Sequence, residues 1–363
     1  VVKLIAEMIE PYSGVVYDPC CGSGGMFVQS LKFVDRHNGN RQQVSIIGQE
    51  SNPDTWRLCK MNLAIRGIAH NLGETNASTF TNDLHKDKTV DYIMANPPFN
   101  LKGWRAEDEL VNDPRFYKGA GFSVMPPVAN ANYAWILHML SKLDVNHGVA
   151  GFLLANGALN IGDAEGTLRQ EILERDRVEA IIVLPRDMFY TTDISVTLWI
   201  VNMNKKAGTV NGRQLRDRTH EVLFMDLRRW DENIEEIVID KGKKKKKTVL
   251  DDTQIAKIKE TYANWQSADT SLYSDVPEYC RSVKIYDSDL TEEERKAEVP
   301  TIQSKGFSLA PSKYIEFIDH DLKIDYETEM ARIQAEMRDI ISTEKKSQTM
   351  LEDAFRGIGY GID

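Results

Sequence analysis

The sequence has little cysteine, no long apolar run and no excess of basic residues. Its four cysteines among 363 residues include the adjacent Cys20 and Cys21, which do not amount to a disulfide framework. No paired Cys-x-x-Cys or His-Glu-x-x-His spacing predicts a metal site. No apolar run approaches the roughly 20 residues of a membrane-spanning helix, and no stretch resembles a signal peptide. We therefore expect a cytoplasmic protein with no metal and no membrane partner.

Acidic residues outnumber basic ones. The chain has 45 Lys and Arg against 55 Asp and Glu, which gives a formal net charge of −10. Because proteins bind duplex DNA through clustered Lys and Arg, this balance counts against tight DNA binding over the whole surface. It is compatible with local basic patches or with a partner that brings the DNA. The run Lys241–Lys247 predicts a solvated loop, with a phosphate or partner contact as the alternative.

The first 215 residues alternate short apolar runs with amphipathic ones, which is typical of a mostly parallel α/β sheet covered by helices. The predicted strands are Val15–Asp18, Ser45–Gln49, Asp91–Ala95, Val149–Leu154 and Val178–Val183. The predicted helices between them are Gly25–Arg36, Pro53–Arg66, Asn132–Leu143 and Ala164–Glu174. The β-branched run Ser195–Asn202 is expected to return antiparallel, as an edge hairpin with the fifth strand.

Two further features concern the organisation of the chain. The segment Leu101–Ala131 is a long interruption with several aromatic residues; such a connection is usually functional or disordered, and its aromatics favour function. Beyond residue 215 we expect a smaller, mainly helical C-terminal region, residues 216–363, with helices over Asp251–Tyr262 and Arg332–Lys345.

A glycine-rich turn follows the first predicted strand, in the sequence DPCCGSGG that begins at Asp18. Gly22, Gly24 and Gly25 allow the backbone to turn tightly into a helix whose first N–H groups face a ligand. The dinucleotide fingerprint requires glycine or alanine at position 27, where Phe27 stands. Asp18 suits a cationic amine better than a pyrophosphate, which favours S-adenosylmethionine. A purely structural turn is the alternative.

The next predicted strand is followed by Glu50. A carboxylate at the end of this strand can accept hydrogen bonds from both hydroxyls of a ribose, as in the dinucleotide folds. On its own Glu50 is an ordinary surface carboxylate, but together with the glycine-rich turn it predicts a nucleoside site.

The third motif, Asn96-Pro97-Pro98-Phe99, follows a predicted buried strand directly. Its two prolines fix two φ angles and remove two donors, so the carbonyls of Asn96 and Pro97 are held rigidly. The side-chain carbonyl of Asn96 and the main-chain carbonyl of Pro97 are suited to accept both protons of an exocyclic amine. Phe99 offers a face on which an extruded base can stack. A plain Pro-Pro turn is the alternative.

Together these motifs resemble the amino-methyltransferases with an (Asn/Asp)-Pro-Pro-(Phe/Tyr/Trp) signature, in the order that places the cofactor motif first. The closer resemblance is to the modification (M) subunits of type I restriction-modification systems, which are N6-adenine DNA methyltransferases. The segments that carry it are Asp18–Gly25, Gln49-Glu50, Lys60–Ala64, Ala95–Phe99, Ala164–Gly166, Leu184-Pro185 with Phe189-Tyr190, and Leu309–Tyr314.

The resemblance implies a Rossmann-like methyltransferase sheet and a site-specific enzyme that methylates N6 of a flipped adenine. The implied cofactor is S-adenosylmethionine, and the implied partners are double-stranded DNA, a specificity subunit, a second M subunit and a restriction endonuclease subunit. The residues implied to hold the cofactor are Asp18, Cys21, Gly22, Ser23, Gly24, Glu50 and Asp83. The residues implied to be catalytic are Asn96, Pro97 and Phe99. Arg332–Lys345 is our candidate contact with the specificity subunit.

One departure from the family concerns the start of the chain. The sequence begins at Val1, inside a stretch of apolar residues with helical spacing. The family has an upstream helical domain and an aromatic-Thr-Pro segment, neither of which precedes Val1. We expect this sequence to be part of a longer protein.

Three alternatives remain at this point. Protein glutamine N5-methyltransferases use the same fold with an Asn-Pro-Pro-Tyr variant, and an RNA adenine or guanine methyltransferase is a related possibility. A non-catalytic scaffold subunit that only holds DNA and a nuclease is the third. Phe99 in place of Tyr favours DNA over protein, and the intact Asn96–Phe99 motif argues against a decayed site.

Overall fold

The fold is that of a computed structural model, which describes residues 1–189, 193–238, 244–318 and 326–357. Tyr190 and positions 241–243 of the lysine run lie outside these residues. The chain divides into two compact units, Val1–Glu316 and Phe317–Asp363, and each is described by itself.

Strands and helices of the described residues are numbered in chain order. The strands are β1 Gly14–Asp18, β2 Val44–Gly48, β3 Tyr92–Ala95, β4 Val149–Ala155, β5 Val178–Val183, β6 Val196–Asn202, β7 Gly208–Val210, β8 Arg213–Leu215, β9 Glu221–Asp226, β10 Ile234–Val238, β11 Lys244–Thr248 and β12 Cys280–Lys284. The helices are α1 Val2–Ile9, α2 Gly25–Arg36, α3 Pro53–Ile65, α4 Tyr117–Ala120, α5 Asn132–Lys142, α6 Asp163–Glu174, α7 Asp252–Gln266, α8 Glu292–Lys296 and α9 Tyr326–Gly357.

Eight strands form one sheet in the order β2-β1-β3-β4-β6-β5-β9-β12. Strands β1, β2, β3 and β4 are mutually parallel, and so are β5 and β9. Strand β6 is antiparallel to both β4 and β5, and β12 is antiparallel to β9. Two separate hairpins, β7-β8 and β10-β11, complete the strands. The five predicted parallel strands and the four predicted helices between them are therefore all present.

Strand β6 differs from the prediction in its position. Its antiparallel direction is as predicted, but it lies between β4 and β5 rather than at an edge. Every residue of β6 is buried, with apolar side chains such as Leu198 and Trp199 facing opposite sides of the sheet. A strand that is apolar on both sides belongs in the middle of a covered sheet, and the edge is taken by β12.

The sheet is covered on both faces. On one face α1, α2, α3 and α7 pack over a cluster that includes Val16, Met94 and Leu198. On the other face α5 and α6 pack over a cluster that includes Tyr17, Ile93 and Trp199. Successive residues of one strand thus enter opposite clusters, as the alternation of side chains along a strand requires.

Three aromatic side chains of the long segment Leu101–Ala131 contribute to the core. Trp104, Phe116 and Phe122 are buried, and Trp104 packs against Phe80, with ring centroids 4.7 Å apart. The Trp104 indole donates to the carbonyl of Pro127 at 2.9 Å. These three aromatic residues therefore pack the core, and the functional interpretation of the segment stays a prediction.

The boundary predicted near residue 215 does not coincide with the division seen in the structure. Strands β9 and β12 join the main sheet, and α7 covers one of its faces, so the first unit extends to Glu316. The change in composition after residue 215 comes from exposed charged segments between these elements. The second unit contains α9, a 32-residue helix with no buried residue. Among the described residues, no helix is long and apolar enough to cross a membrane.

A buried carboxylate joins several elements of the first unit. Glu179 on β5 is fully buried and accepts hydrogen bonds from Arg218, Asn202, Tyr262 and Gln266 at 2.7–3.1 Å. Burial alone would raise the pKa of Glu179, but the Arg218 guanidinium and these donors hold it below its ordinary value. This network connects β5, β6 and α7 with the segment before β9.

We expect Arg218→Met to lower the free energy of unfolding by about 3–5 kcal/mol, because it leaves Glu179 as an unpaired buried charge. Urea denaturation of the purified variant measures this loss. Arg213→Met is the matched control: its ion pair with Glu10 is partly exposed, and we expect a loss below about 1 kcal/mol. Equal losses in the two variants would contradict the importance of burial.

Candidate active site

The glycine-rich turn connects β1 to α2 through two residues in the left-handed region. The φ angles of Gly22 and Gly24 are +53° and +81°, which side chains rarely adopt. A Cβ on Gly24 would also lie 2.9 Å from the Cys59 sulfur. Gly25 has neither restriction, so the backbone requires only two of the three glycines that the sequence suggested.

Cys21 and Ser23 belong to the same turn but differ in orientation. The Cys21 thiol is buried, 3.8 Å from the thiol of Cys59 on α3, so its side chain faces the core. Its main chain shapes the turn, because its N–H donates to the Gln49 carbonyl at 2.9 Å. Ser23 is exposed, and its carbonyl accepts from the Asn62 side chain at 2.6 Å. Of these two predicted ligands, only Ser23 offers an accessible side chain.

Two carboxylates lie near this turn. Glu50 accepts hydrogen bonds from the N–H of Gly22 at 3.0 Å and from that of Asn52 at 2.8 Å, so its orientation is fixed. Asp18 is almost completely buried and accepts from the N–H of Cys20 at 3.0 Å. Burial and, to a smaller extent, the nearby charge of Glu50 raise the pKa of Asp18 to about 7, against the lowering effect of its hydrogen bonds with Cys20. Such a pair of carboxylates favours a cationic ligand.

A strip at residues 77–80, which the sequence reasoning missed, lies beside the turn. The N–H of Ala77 donates to the carbonyl of Glu50 at 3.0 Å, and the hydroxyl of Thr79 donates to the carbonyl of Pro19. Gln49 is fully buried and holds this region, since its side-chain amide donates to the carbonyls of Ala77 and Asn82. The strip has no regular secondary structure, so no hydrophobic periodicity could have indicated it.

The Asn96–Phe99 motif begins directly after β3, which pairs in parallel with β1. Tyr17 lies opposite Ile93 in the register, so both strands end at the same edge of the sheet. Burial raises the pKa of the Cys20 thiol, and the nearby main chain of Asn96 opposes this rise, so the motif lies next to the glycine-rich turn. Within the described residues the Asn96 side chain is exposed and has no hydrogen-bond partner, whereas Pro97 is buried.

Phe99 is half-buried and faces a second aromatic residue. Its ring meets that of Phe189 edge-on, with centroids 5.9 Å apart. Phe189 follows β5, whose carboxyl end lies at the same edge of the sheet as the end of β3. The two aromatic residues therefore border one surface next to Asn96.

Asp83, another predicted cofactor residue, forms ion pairs with two buried cations. Its carboxylate pairs with Lys142 at 2.7 Å and with Arg115 at 3.6 Å, and its side chain is 7% exposed. The same carboxylate also accepts a hydrogen bond from the N–H of His85 at 2.9 Å, and its role toward the cofactor stays a prediction. The sequence could not indicate the ion pairs, because Arg115 and Lys142 come from distant segments.

The polar groups at this edge of the sheet fit S-adenosylmethionine. Glu50 is positioned to accept from ribose hydroxyls, the two carboxylates suit the positive charge of the cofactor, and the N-terminus of α2 suits its carboxylate. A Cβ added to Gly22 or Gly25 would meet no atom within 4 Å, so open space borders the turn.

Comparison with protein families gives a match to the family model described as N-6 DNA Methylase, over residues 1–317. The chain is 38% identical to the HindI type I restriction enzyme methylase subunit of Haemophilus influenzae, over 99% of this chain and 72% of that protein. It is 31% identical to the MjaIX methylase subunit of Methanocaldococcus jannaschii, over 99% of this chain and 58% of that protein.

A solved structure agrees with these relatives. The type I restriction-modification system methyltransferase subunit from Streptococcus thermophilus is 25% identical, with a TM-score of 0.65. The similarity covers 88% of this chain and 58% of that one, so the chain spans little more than half of the solved subunit. This likeness confirms the predicted Rossmann-like methyltransferase sheet. Because the family model covers most of the sequence, the chain belongs to the N-6 DNA methylase family, as the resemblance of its motifs predicted.

Proposed function

We propose that the chain transfers a methyl group from S-adenosylmethionine to N6 of an adenine flipped out of duplex DNA, as the modification subunit of a type I restriction-modification complex. The observation that carries this proposal is the parallel register of β1 and β3, which end at a shared edge of the sheet directly before the glycine-rich turn and the Asn96–Phe99 motif. It brings the motif suited to an exocyclic amine close to the turn suited to the cofactor. The family description, N-6 DNA Methylase, supports DNA rather than protein as the substrate.

The chemistry rests on oriented dipoles. The side-chain carbonyl of Asn96 and the main-chain carbonyl of Pro97 accept the two N6 protons, which draws the nitrogen lone pair out of conjugation with the ring. The bound cofactor supplies an electrophilic methyl group. Positive charge that develops on N6 is stabilised by the same two carbonyls, and the proton is then lost to water. Phe99, supported by Phe189, stacks on the extruded base and offsets part of the cost of flipping.

We expect Asn96→Ala to lower kcat about 100-fold or more while leaving the affinity for S-adenosylmethionine nearly unchanged. The Asn96 dipole acts on the transition state and has no role in holding the cofactor. Transfer of a tritiated methyl group to adenine-containing DNA measures the first effect, and titration calorimetry the second. Asn146→Ala, exposed before β4 at the opposite edge of the sheet, is the control. A change confined to KM would count against the assigned role.

Because Asp18 is a buried carboxylate, the proposed function predicts that the affinity for S-adenosylmethionine depends on pH. With a pKa of about 7, Asp18 is largely protonated in more acidic solution, whereas a cationic ligand favours its ionised form. Binding below pH 7 therefore requires Asp18 to release a proton. We expect the affinity for S-adenosylmethionine to fall below pH 7, approaching tenfold per pH unit.

Calorimetric titrations across this range, in buffers of different ionisation enthalpy, measure both the affinity and the proton release. Asp18→Asn should abolish the pH dependence, and Asp54→Asn, an exposed carboxylate on α3, should preserve it. A flat affinity profile in the unsubstituted protein would exclude the assigned role of Asp18.

We also propose that α9 binds the specificity subunit. On a helical projection at 100° per residue, Ile333, Met337, Ile340, Leu351 and Phe355 fall on one stripe. All five are exposed, between 37% and 67% of each residue. A long helix with such a stripe is typical of helices that pair with others in a bundle. Three residues of this stripe lie within the predicted Arg332–Lys345 contact, and Leu351 and Phe355 extend it toward the end of α9.

We expect Met337→Asp with Ile340→Asp to abolish co-purification with the specificity subunit, because two charges enter the apolar stripe. Ser342→Asp with Thr349→Asp adds the same charge on the opposite side of α9 and should leave the complex intact. Affinity purification of the co-expressed subunits measures both. Retention of the complex by the stripe variant would rule out this surface.

A further inference from the structure

Arg115 connects the segment that follows the Asn96–Phe99 motif to the strip beside the glycine-rich turn. Arg115 lies within Leu101–Ala131 and is 8% exposed. Its guanidinium donates to the carbonyl of Thr79 at 2.7 Å and to that of Phe80 at 2.5 Å. Both carbonyls belong to residues 77–80, far from Arg115 in the sequence.

Neighbouring groups fix the orientation of this guanidinium. Asp113 accepts from it at 2.7 and 2.8 Å, and Asp83 lies 3.6 Å away. His138 on α5 is fully buried, and burial together with the Arg115 charge holds its pKa well below the ordinary value. The neutral ring accepts from Arg115 through Nδ1 at 3.0 Å, so its Nε2 carries the proton toward the hydroxyl of Tyr17, also at 3.0 Å.

The strip that Arg115 holds has direct contacts with the candidate cofactor site. Thr79 donates to the carbonyl of Pro19, immediately before the two cysteines of the turn. Ala77 donates to the carbonyl of Glu50. A shift of the strip would therefore disturb both the start of the turn and the residue assigned to the ribose.

We propose that Arg115 is a positioning residue for the cofactor site: its bonds to the carbonyls of Thr79 and Phe80 hold the strip against Pro19 and Glu50. Asp83, which the family resemblance implied as a cofactor residue, forms an ion pair with Arg115. This inference rests on the proposed function, since it presumes that S-adenosylmethionine binds at the turn. Arg115 therefore connects the segment Leu101–Ala131, which follows Phe99, with the strip at residues 77–80 beside the proposed cofactor site.

Arg105 provides a matched control within the same segment. It is 9% exposed, nearly as buried as Arg115, and it also donates to main-chain carbonyls. Its acceptors are Ala106, Glu107, Glu109 and Pro126, all within Leu101–Ala131. Removing the Arg105 guanidinium therefore disturbs the segment Leu101–Ala131. It leaves the hydrogen bonds of the strip at residues 77–80 with Pro19 and Glu50 unchanged.

The test compares Arg115→Gln with Arg105→Gln in the complete protein, using S-adenosylmethionine as the probe. We expect Arg115→Gln to raise the Kd of the cofactor about tenfold more than Arg105→Gln does, as for the loss of a hydrogen bond from a charged donor. The KM for the cofactor should rise in parallel, with kcat at saturation within about threefold of the unsubstituted value. Thermal unfolding of both variants separates this effect from a general loss of stability.

Arg115→Lys tests the geometry, because an ammonium can keep the charge and one of the two carbonyl bonds. Its Kd should lie between that of the unsubstituted protein and that of Arg115→Gln. If Arg115→Gln does not fold, the test compares Arg115→Lys with Arg105→Lys. We then expect the Kd of the cofactor to be about threefold higher in Arg115→Lys. Equal cofactor affinities in the matched variants would overturn the inference. Failure of the unsubstituted protein to bind the cofactor would instead count against the proposed function.

Discussion

The parallel register of β1, β2 and β3 is the constraint on which the candidate site depends. Asp18 pairs with Gly48, and Tyr17 pairs with Ile93, so the three strands end side by side. Parallel strands need crossover connections, and their carboxyl ends meet at one edge of the sheet. The glycine-rich turn, Glu50 and the Asn96–Phe99 motif all begin within two residues of a strand end. If the register of one of these strands shifted by one residue, the motif that follows that strand would face away from the other two.

Two buried charges of the first unit are each surrounded by donors or counter-charges. Glu179 has four hydrogen-bond donors in the middle of the first unit, and Arg115 has carbonyls, carboxylates and a neutral histidine around it. Asp18 is different, because its nearest charge is another carboxylate and its pKa is raised rather than lowered. The fold thus stabilises its structural charges internally, while the carboxylate at the candidate site is the one that a positive ligand would stabilise.

The overall negative charge and the proposed DNA substrate are compatible if binding is shared among subunits. The first unit carries the candidate site, and α9 carries an apolar stripe with no buried residue in its own unit. A chain that contributes the chemistry and leaves sequence recognition to a partner has no need for a large basic face.

The strands, the helices between them, the motifs and the family could be predicted from the amino-acid sequence, because they depend on local periodicity and on residues that are close in the chain. Asn96–Phe99 and Gly22–Gly25 were visible for this reason. Only the tertiary structure decided that β6 lies inside the sheet, that the thiol of Cys21 faces the core, and that Asp83 pairs with Arg115 and Lys142. Those outcomes depend on which distant segments meet, and a local pattern carries no information about partners that are far away along the chain.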